Sequence, residues 1–174
     1  MLNVFELNSD NVIEWKPYRA ELLCSIRFPL QDWLQIVSDI DNDTDWANFL
    51  TEYSEFVKCF VLYRRKNNKP IGFVYLLQED EQGNIVSFHG GGWNKSISHT
   101  LLYYRGMILL IETLLNNGLK VRTTCTNENY IAYRFIKSAG FVNYRNSDKY
   151  HHFWINKKRF TSSHIYKYIL KAIS

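Results

Sequence analysis

A strand-like run, a long helix-like run and a second strand-like run follow one another in the middle of the sequence. The first strand covers Ile85 to His89, a helical apolar period covers Ser98 to Asn117, and the second strand covers Leu119 to Thr126. A chain that runs strand, helix and strand crosses back to the same end of the sheet before the second strand begins. The two strands are therefore predicted to be parallel neighbours.

Two more strand-like runs precede this unit. They cover Cys59 to Arg64 and Ile71 to Gln78, and turn-forming residues follow at Lys66 to Pro70 and at Asp80 to Asn84. Short turns between successive strands favour antiparallel pairing, so these runs and Ile85 to His89 predict a meander. A meander joined to a parallel crossover predicts an α+β fold with a mixed sheet.

Helical patterns lie before and after these strands. From Asp10 to about Phe56 apolar residues recur at three and four positions, which predicts two or three short helices. Gly118 ends the long helix, and the apolar stripe of that helix consists of Leu101, Tyr104, Ile108, Ile111 and Leu115. We expect the long helix and the later short helix on opposite faces or flanks of the sheet.

The last third of the sequence shows helix and hairpin patterns in turn. The predicted elements are a short helix from Tyr130 to Ser138 closed by Gly140, a hairpin of Phe141 to Arg145 and Tyr150 to Ile155, and a final helix from Ser162 to Ile173.

The composition is that of one folded domain, which we expect over residues 1–174. Lys and Arg number 21 against 17 Asp and Glu, a net charge of +4, and apolar residues make up 46% of the chain, which excludes intrinsic disorder. Aromatic residues, at 16%, are able to stack on bases. The charges are spread, however, and the basic runs Arg64 to Lys66 and Lys157 to Arg159 resemble solvated turns. We therefore expect an aromatic core and no nucleic-acid partner, with a nucleic-acid binder as the weaker alternative.

The cysteines and the N-terminal residues bear on the compartment. Cys24, Cys59 and Cys125 are an odd number without C-x-x-C spacing, and the N-terminus lacks the pattern of a signal peptide. The longest apolar stretch, Met107 to Ile111, is much shorter than a membrane span. We predict a cytoplasmic, reduced protein without a membrane segment and, since no His is spaced with Cys or Asp as metal ligands are, without a metal.

The segment from Thr126 to Phe141 carries a recognisable motif. It matches the pattern N-x-x-A-x-x-F-x-x-x-x-G-F at Asn129, Ala132, Phe135, Gly140 and Phe141. Each residue also has a local role, since Asn129 is able to cap the short helix and Gly140 to supply a left-handed ending that turns Phe141 into the core. The order of elements and this motif together resemble the GNAT acyltransferase superfamily, over roughly Cys59 to Ile155.

The resemblance implies a function and a cosubstrate. Relatives transfer an acyl group, most simply acetyl, from coenzyme A to an amine, so acetyl-CoA and a small-molecule or peptide amine acceptor are implied. The pyrophosphate is expected at the N-terminus of the long helix, where backbone amides are free. The family's glycines are absent there. The implied coenzyme-binding residues are Trp93, Ser98, His99, Thr100, Leu101 and Asn129.

Proton transfer has less obvious candidates. The family's usual acid, a Tyr seven residues after the Asn of the short helix, is replaced by Ile136, and Tyr133 lies one turn earlier. His89, at the end of a strand, is the candidate general base, because the pKa of a histidine needs little tuning at neutral pH. Packing roles for Tyr133 and a backbone hydrogen bond for His89 are the alternatives, and His151 and His152 are weaker candidates.

The alternative function is a non-catalytic module that keeps the fold and binds a ligand or a partner, because both the phosphate loop and the acid depart from the family pattern. An acidic cluster in the N-terminal helices, which includes Asp39, Asp41 and Asp43, would suit a cationic acceptor, but a solvated helix face is the favoured explanation. The acceptor and a homodimer are left open.

Overall fold

A computed structural model describes four stretches of the chain, residues 2–7, 57–64, 69–92 and 97–171. The strands are β1 (Leu2–Leu7), β2 (Val57–Arg64), β3 (Lys69–Gln78), β4 (Ile85–Gly92), β5 (Lys120–Thr126), β6 (Val142–Asn146) and β7 (Tyr150–Ile155). The helices are α1 (Ile97–Asn116), α2 (Tyr130–Ser138), α3 (Lys157–Ser162) and α4 (His164–Lys171). The helices predicted between Asp10 and Phe56 lie outside the described residues.

The seven strands hydrogen-bond in the order β1-β2-β3-β4-β5-β7-β6. All described pairs are antiparallel except β4 and β5, which are parallel from Ile85↔Lys120 to Ser87↔Arg122. The predicted α+β fold with a mixed sheet is therefore confirmed, as is the crossover through the long helix. The described residues fall into two compact units, which are considered separately below.

The first unit includes β1, β2, most of β3, and the chain from His89 to Tyr103. β1 pairs antiparallel with β2, and β2 pairs antiparallel with β3. Cys59, Val61, Phe73 and Tyr75 are fully or almost fully buried in this unit. β1 was not predicted, because its residues L-N-V-F-E-L do not alternate between apolar and polar.

The second unit consists of residues 78–88 and 104–174. In it β7 lies between β5 and β6, so the hairpin joins the sheet through its second strand. A polar network fastens the β3–β4 turn to the sheet. The buried Ser87 hydroxyl donates to the Glu79 carboxylate, and the Arg122 guanidinium donates to the second oxygen of that carboxylate at 2.8 Å.

The apolar stripe of α1 is confirmed at Ile108, Ile111 and Leu115, which are at most 6% exposed. Leu101 is 59% exposed, so its assignment to the stripe was wrong. Buried Tyr103, Met107 and Leu114 widen the covered side of the helix. Gly118 has φ +81° and ends the helix as predicted.

α1 and α2 contact each other, so the expectation of opposite faces was wrong. The rings of Tyr104 and Phe135 stack with centroids 4.3 Å apart. The topology explains this contact, because the β4-to-β5 and β5-to-β6 connections both join parallel strands and both move toward the same edge of the sheet. Two right-handed crossovers that move in one direction place their helices on one face.

The predicted final helix, Ser162 to Ile173, corresponds to α4, whereas the short helix α3 before it was not predicted. Ser163 has extended backbone angles (φ −68°, ψ 150°), ends α3, and accepts the backbone N–H of Tyr166 on its hydroxyl at 3.2 Å. The basic run from Lys157 to Arg159 forms the exposed first turn of α3, so it is solvated but helical. The backbone break at Ser163 permits α4 to leave in a new direction.

Candidate active site

The first turn of α1 is the expected phosphate-binding element. The helix begins at Ile97, so the backbone of Ser98, His99 and Thr100 lies in its first turn, and no acidic residue is present there. The first N–H groups of a helix have no partner within it, and the helix dipole favours an anion at that end. Leu101, one turn into the helix, has an exposed side chain. Trp93 lies outside the described residues.

His89 lies on β4 in the first unit, and 9% of it is exposed. Its ring stacks on that of Tyr75 with centroids 5.1 Å apart and planes 15° from parallel. Burial lowers the pKa of His89 to about 4. The expectation of a pKa that needs little tuning was therefore wrong, because the buried, desolvated ring resists protonation. At neutral pH the imidazole is uncharged and has one nitrogen able to accept a proton.

A contact that the sequence analysis missed holds the start of α1 to the sheet. The hydroxyl of Tyr103, a buried residue of α1, donates to the carbonyl of Phe73 on β3 at 3.3 Å. The bond lies within the first unit, as does His89. No sequence motif predicts such a contact, because it depends on which residues the fold brings together.

Asn129 caps α2, as predicted. Its side-chain oxygen accepts the backbone N–H of Ala132 at 3.0 Å, and its own N–H donates to the carbonyl of Thr126 at 3.0 Å. The cap therefore stands at the end of a tight turn that begins at the last residue of β5. That Asn129 also contacts a coenzyme remains a prediction.

Asn127, within the same turn, was not singled out by the sequence analysis. Its side-chain NH₂ donates to the carbonyls of Ser147 and Asp148 at 3.2 and 3.0 Å. Its backbone N–H donates to the carbonyl of Lys149 at 3.0 Å. One residue thus links the turn before α2 to the turn between β6 and β7.

Gly140 ends α2 in the predicted left-handed conformation, with φ +93°. The site is also crowded, because a Cβ atom there would lie 2.8 Å from the carbonyl oxygen of Arg159. Phe141 follows and is 3% exposed, so the predicted turn into the core is confirmed. Glycine is required at position 140 for both its φ and its lack of a side chain.

Tyr133 and Ile136 lie on α2 in different surroundings. Tyr133 is partly buried, and its ring meets the rings of His151 and Phe153 edge-on at 5.0 and 5.6 Å. Ile136 is 6% exposed, within the core. The Nδ1–H of His151 donates to the side-chain oxygen of Asn146 at 2.8 Å, and burial lowers the pKa of the neighbouring His152.

No protein-family model matches the chain. No curated protein matches it either. Solved structures do match. The apo form of FdhC, a nucleotide-linked sugar GNAT, aligns with 97% of this chain and 93% of its own at 14% identity and a TM-score of 0.66. The aminoglycoside acetyltransferase AAC(6')-Ib in complex with coenzyme A and kanamycin aligns with 92% of this chain and 97% of its own at 16% identity and a TM-score of 0.64.

A variant of the spermidine N-acetyltransferase SpeG from Vibrio cholerae aligns with 92% of this chain and 98% of its own at 12% identity and a TM-score of 0.68. This chain has the GNAT fold. The motif segment from Thr126 to Phe141 occupies β5's last residue, α2 and the turn into β6 of that fold. The order of elements, together with the motif at Asn129, Ala132, Phe135, Gly140 and Phe141, predicted this fold although overall identity to the matched structures is low.

Other features of this GNAT fold bear on cysteine and metal chemistry. Cys59 and Cys125 are free and buried, and burial raises the pKa of their thiols to about 12 and about 11, so both are protonated at neutral pH. Cys24 is outside the described residues.

Among the side chains that the structure describes, no three His, Cys, Asp or Glu residues gather as metal ligands would. In that same part of the chain, no helix has the length and apolar character needed to cross a membrane.

Proposed function

We propose that the protein is an acyl-coenzyme A dependent N-acyltransferase, with acetyl-CoA as the simplest donor and an amine as acceptor. The GNAT fold carries this proposal, because structures that share it over more than nine-tenths of the chain include an acetyltransferase in complex with coenzyme A. The cap at Asn129 and the left-handed Gly140 support it, since both motif residues have the expected conformation.

The donor is proposed to place its pyrophosphate at the first turn of α1. Backbone amides of Ser98, His99, Thr100 and Leu101 are the proposed hydrogen-bond donors, and the first turn contains no carboxylate that would repel the ligand. Trp93 and Asn129 are proposed to contact other parts of the donor. Backbone amides perform this role without the family's glycines, so the altered loop sequence is compatible with binding.

The reaction requires a proton acceptor and a proton donor. The amine nitrogen attacks the thioester carbonyl, the C–N bond forms, the C–S bond breaks, and the amine loses one proton while the leaving thiolate gains one. His89 is proposed to accept the proton from the amine, since its imidazole is neutral at neutral pH. Tyr133 is proposed to supply the proton to sulfur.

The acceptor is proposed to be a small molecule or a peptide that carries a primary amine. Matched structures include an aminoglycoside acetyltransferase and a spermidine N-acetyltransferase, so polyamines and aminoglycosides come first in a test panel, and a peptide with a free N-terminus comes next. Most of the catalysis is expected to come from positioning and from stabilisation of the oxyanion, which places few demands on side-chain identity.

The test has two stages that separate binding from chemistry. Acetyl-CoA at about 100 times its dissociation constant should stabilise the folded protein by about 2.7 kcal/mol, which a thermal-shift assay detects. Release of coenzyme A thiol in the presence of each amine then reports transfer, and Tyr133→Phe should slow that release if the phenol is the acid. Binding without transfer to any amine would favour the non-catalytic module, and the absence of binding would refute the proposal.

A further inference from the structure

Asn127 links the turn before α2 to the turn between β6 and β7, and all of its N–H groups donate hydrogen bonds across that link. Its NH₂ group faces two carbonyl oxygens, those of Ser147 and Asp148, at 3.2 and 3.0 Å. A carbonyl oxygen only accepts, so the amide end that meets both is necessarily the NH₂ end. With the backbone bond to Lys149 at 3.0 Å, the three N–H groups of this residue all reach consecutive residues of one turn.

The turn that receives these bonds is itself fixed. The backbone N–H of Ser147 donates to the carbonyl of Tyr150 at 2.8 Å, and the N–H of Tyr150 donates to the hydroxyl of Ser147 at 3.1 Å. β7, which follows this turn, pairs with β5 as far as Thr126↔Tyr150. Asn127 therefore continues the attachment of β5 to its neighbour one residue beyond the end of the strand.

The turn that Asn127 begins leads directly into α2. The N–H of Asn129 closes the turn onto Thr126 at 3.0 Å, and the Asn129 side chain caps the helix at Ala132 at 3.0 Å. The position of the cap is thus set by a rigid strand end on one side and by the bonds of Asn127 on the other. Asn127 is exposed, so burial of its side chain contributes little beside these bonds.

We propose that Asn127 is a positioning residue for the donor site. It fastens the Thr126–Asn129 turn to the β6–β7 turn and so holds the first turn of α2 where Asn129 meets the donor. The inference rests on the proposed function, because the binding site of acetyl-CoA at α2 belongs to that proposal. It adds a residue that acts through Asn129 without touching the ligand.

The test compares Asn127→Asp and Asn127→Ala with a matched control. The Asp variant keeps the shape but turns a carboxylate toward two carbonyls, and the Ala variant removes the side chain. Asn143→Ala is the control, since the Asn143 side chain donates to that of Asn146 at 2.7 Å in the same hairpin but makes no described bond to the turn before α2.

Wild type and each variant are titrated with acetyl-CoA and assayed for KM and kcat, and circular dichroism confirms folding. Both Asn127 variants should raise the dissociation constant and KM about tenfold with kcat within about twofold, while Asn143→Ala changes KM by less than about twofold. Amide exchange at Ala132 should accelerate only in the Asn127 variants.

Three outcomes overturn the inference, and they are distinguishable. Wild type that binds acetyl-CoA together with Asn127 variants of unchanged KM would show that the bonds serve the hairpin alone. Wild type that does not bind acetyl-CoA would refute the proposed function and this inference with it. An equal rise in KM for Asn143→Ala would also overturn it, because the effect would then be a general loosening of the hairpin.

Discussion

Replacing Gly140 with alanine tests whether crowding or backbone conformation demands glycine at the end of α2. A residue with a side chain held at positive φ costs about 1–2 kcal/mol, and φ is +93° at this position. The new Cβ would also lie 2.8 Å from the backbone oxygen of Arg159, which cannot swing aside as a flexible side chain does. Overpacking of this kind adds about 1–3 kcal/mol.

Gly118, at the end of α1, offers the matched control. Gly118 has φ +81°, but a Cβ built there would have no atom within 4 Å. Gly118→Ala should therefore cost only the conformational part, about 1–2 kcal/mol, whereas Gly140→Ala should cost about 3 kcal/mol. The difference between the two variants isolates the contact with Arg159.

Urea unfolding measures both losses. The midpoint should fall further for Gly140→Ala than for Gly118→Ala, with an unchanged slope if the unfolded state is unaffected. Equal midpoints for the two variants would refute the crowding argument and leave positive φ as the whole reason for glycine.

Three further predictions concern the proposed donor site and the buried His89. Asn129→Ala should lower the free energy of unfolding by about 1 kcal/mol through loss of the cap, and calorimetry should show weaker acetyl-CoA binding; a stability loss with unchanged affinity would make the residue only a cap. His99→Pro should weaken acetyl-CoA binding by removing one first-turn amide, while His99→Ala, which keeps that amide, should not; equal affinities in the two variants would contradict the placement of the pyrophosphate. His89 has a folded pKa of about 4, below the ordinary 6.5, so its contribution to stability is complete above about pH 6.5 and is lost as the pH falls toward 4. Between about pH 7.5 and about pH 5 wild type should lose about 2 kcal/mol more stability than His89→Gln in urea unfolding, and parallel pH curves would contradict the buried, neutral imidazole.

Features that depend on a few neighbouring residues could be predicted from the sequence. The structure places helix ends where local residues predict them. Asn129 lies three residues before Ala132, and Gly118 and Gly140 follow apolar helical periods. The parallel pair β4 and β5 follows from chain order alone, since a helix between two strands leaves few other arrangements. Such features depend on neighbouring residues and on chain order, so they can be predicted without knowing any tertiary contact.

Features that depend on distant residues could not be predicted in the same way. The pKa of His89 is set by its burial in the folded chain, and Asn127 finds its acceptors about twenty residues further along. The short helix α3 was not predicted, because Lys157 to Ser162 contains a single buried apolar side chain, Phe160, and no apolar period.

The position of β7 between β5 and β6 matters while the chain is being synthesised. β6 leaves the ribosome first but has no strand to join, because its only described neighbour is β7. Until Tyr150–Ile155 has emerged, the edge of β5 remains unpaired, and the buried side chains of Val121, Thr123 and Cys125 stand on that strand. An unpaired strand edge of this kind is a template for association between nascent chains. A nascent chain that stalls just after β6 is therefore more exposed to aggregation than one that stalls a single strand later.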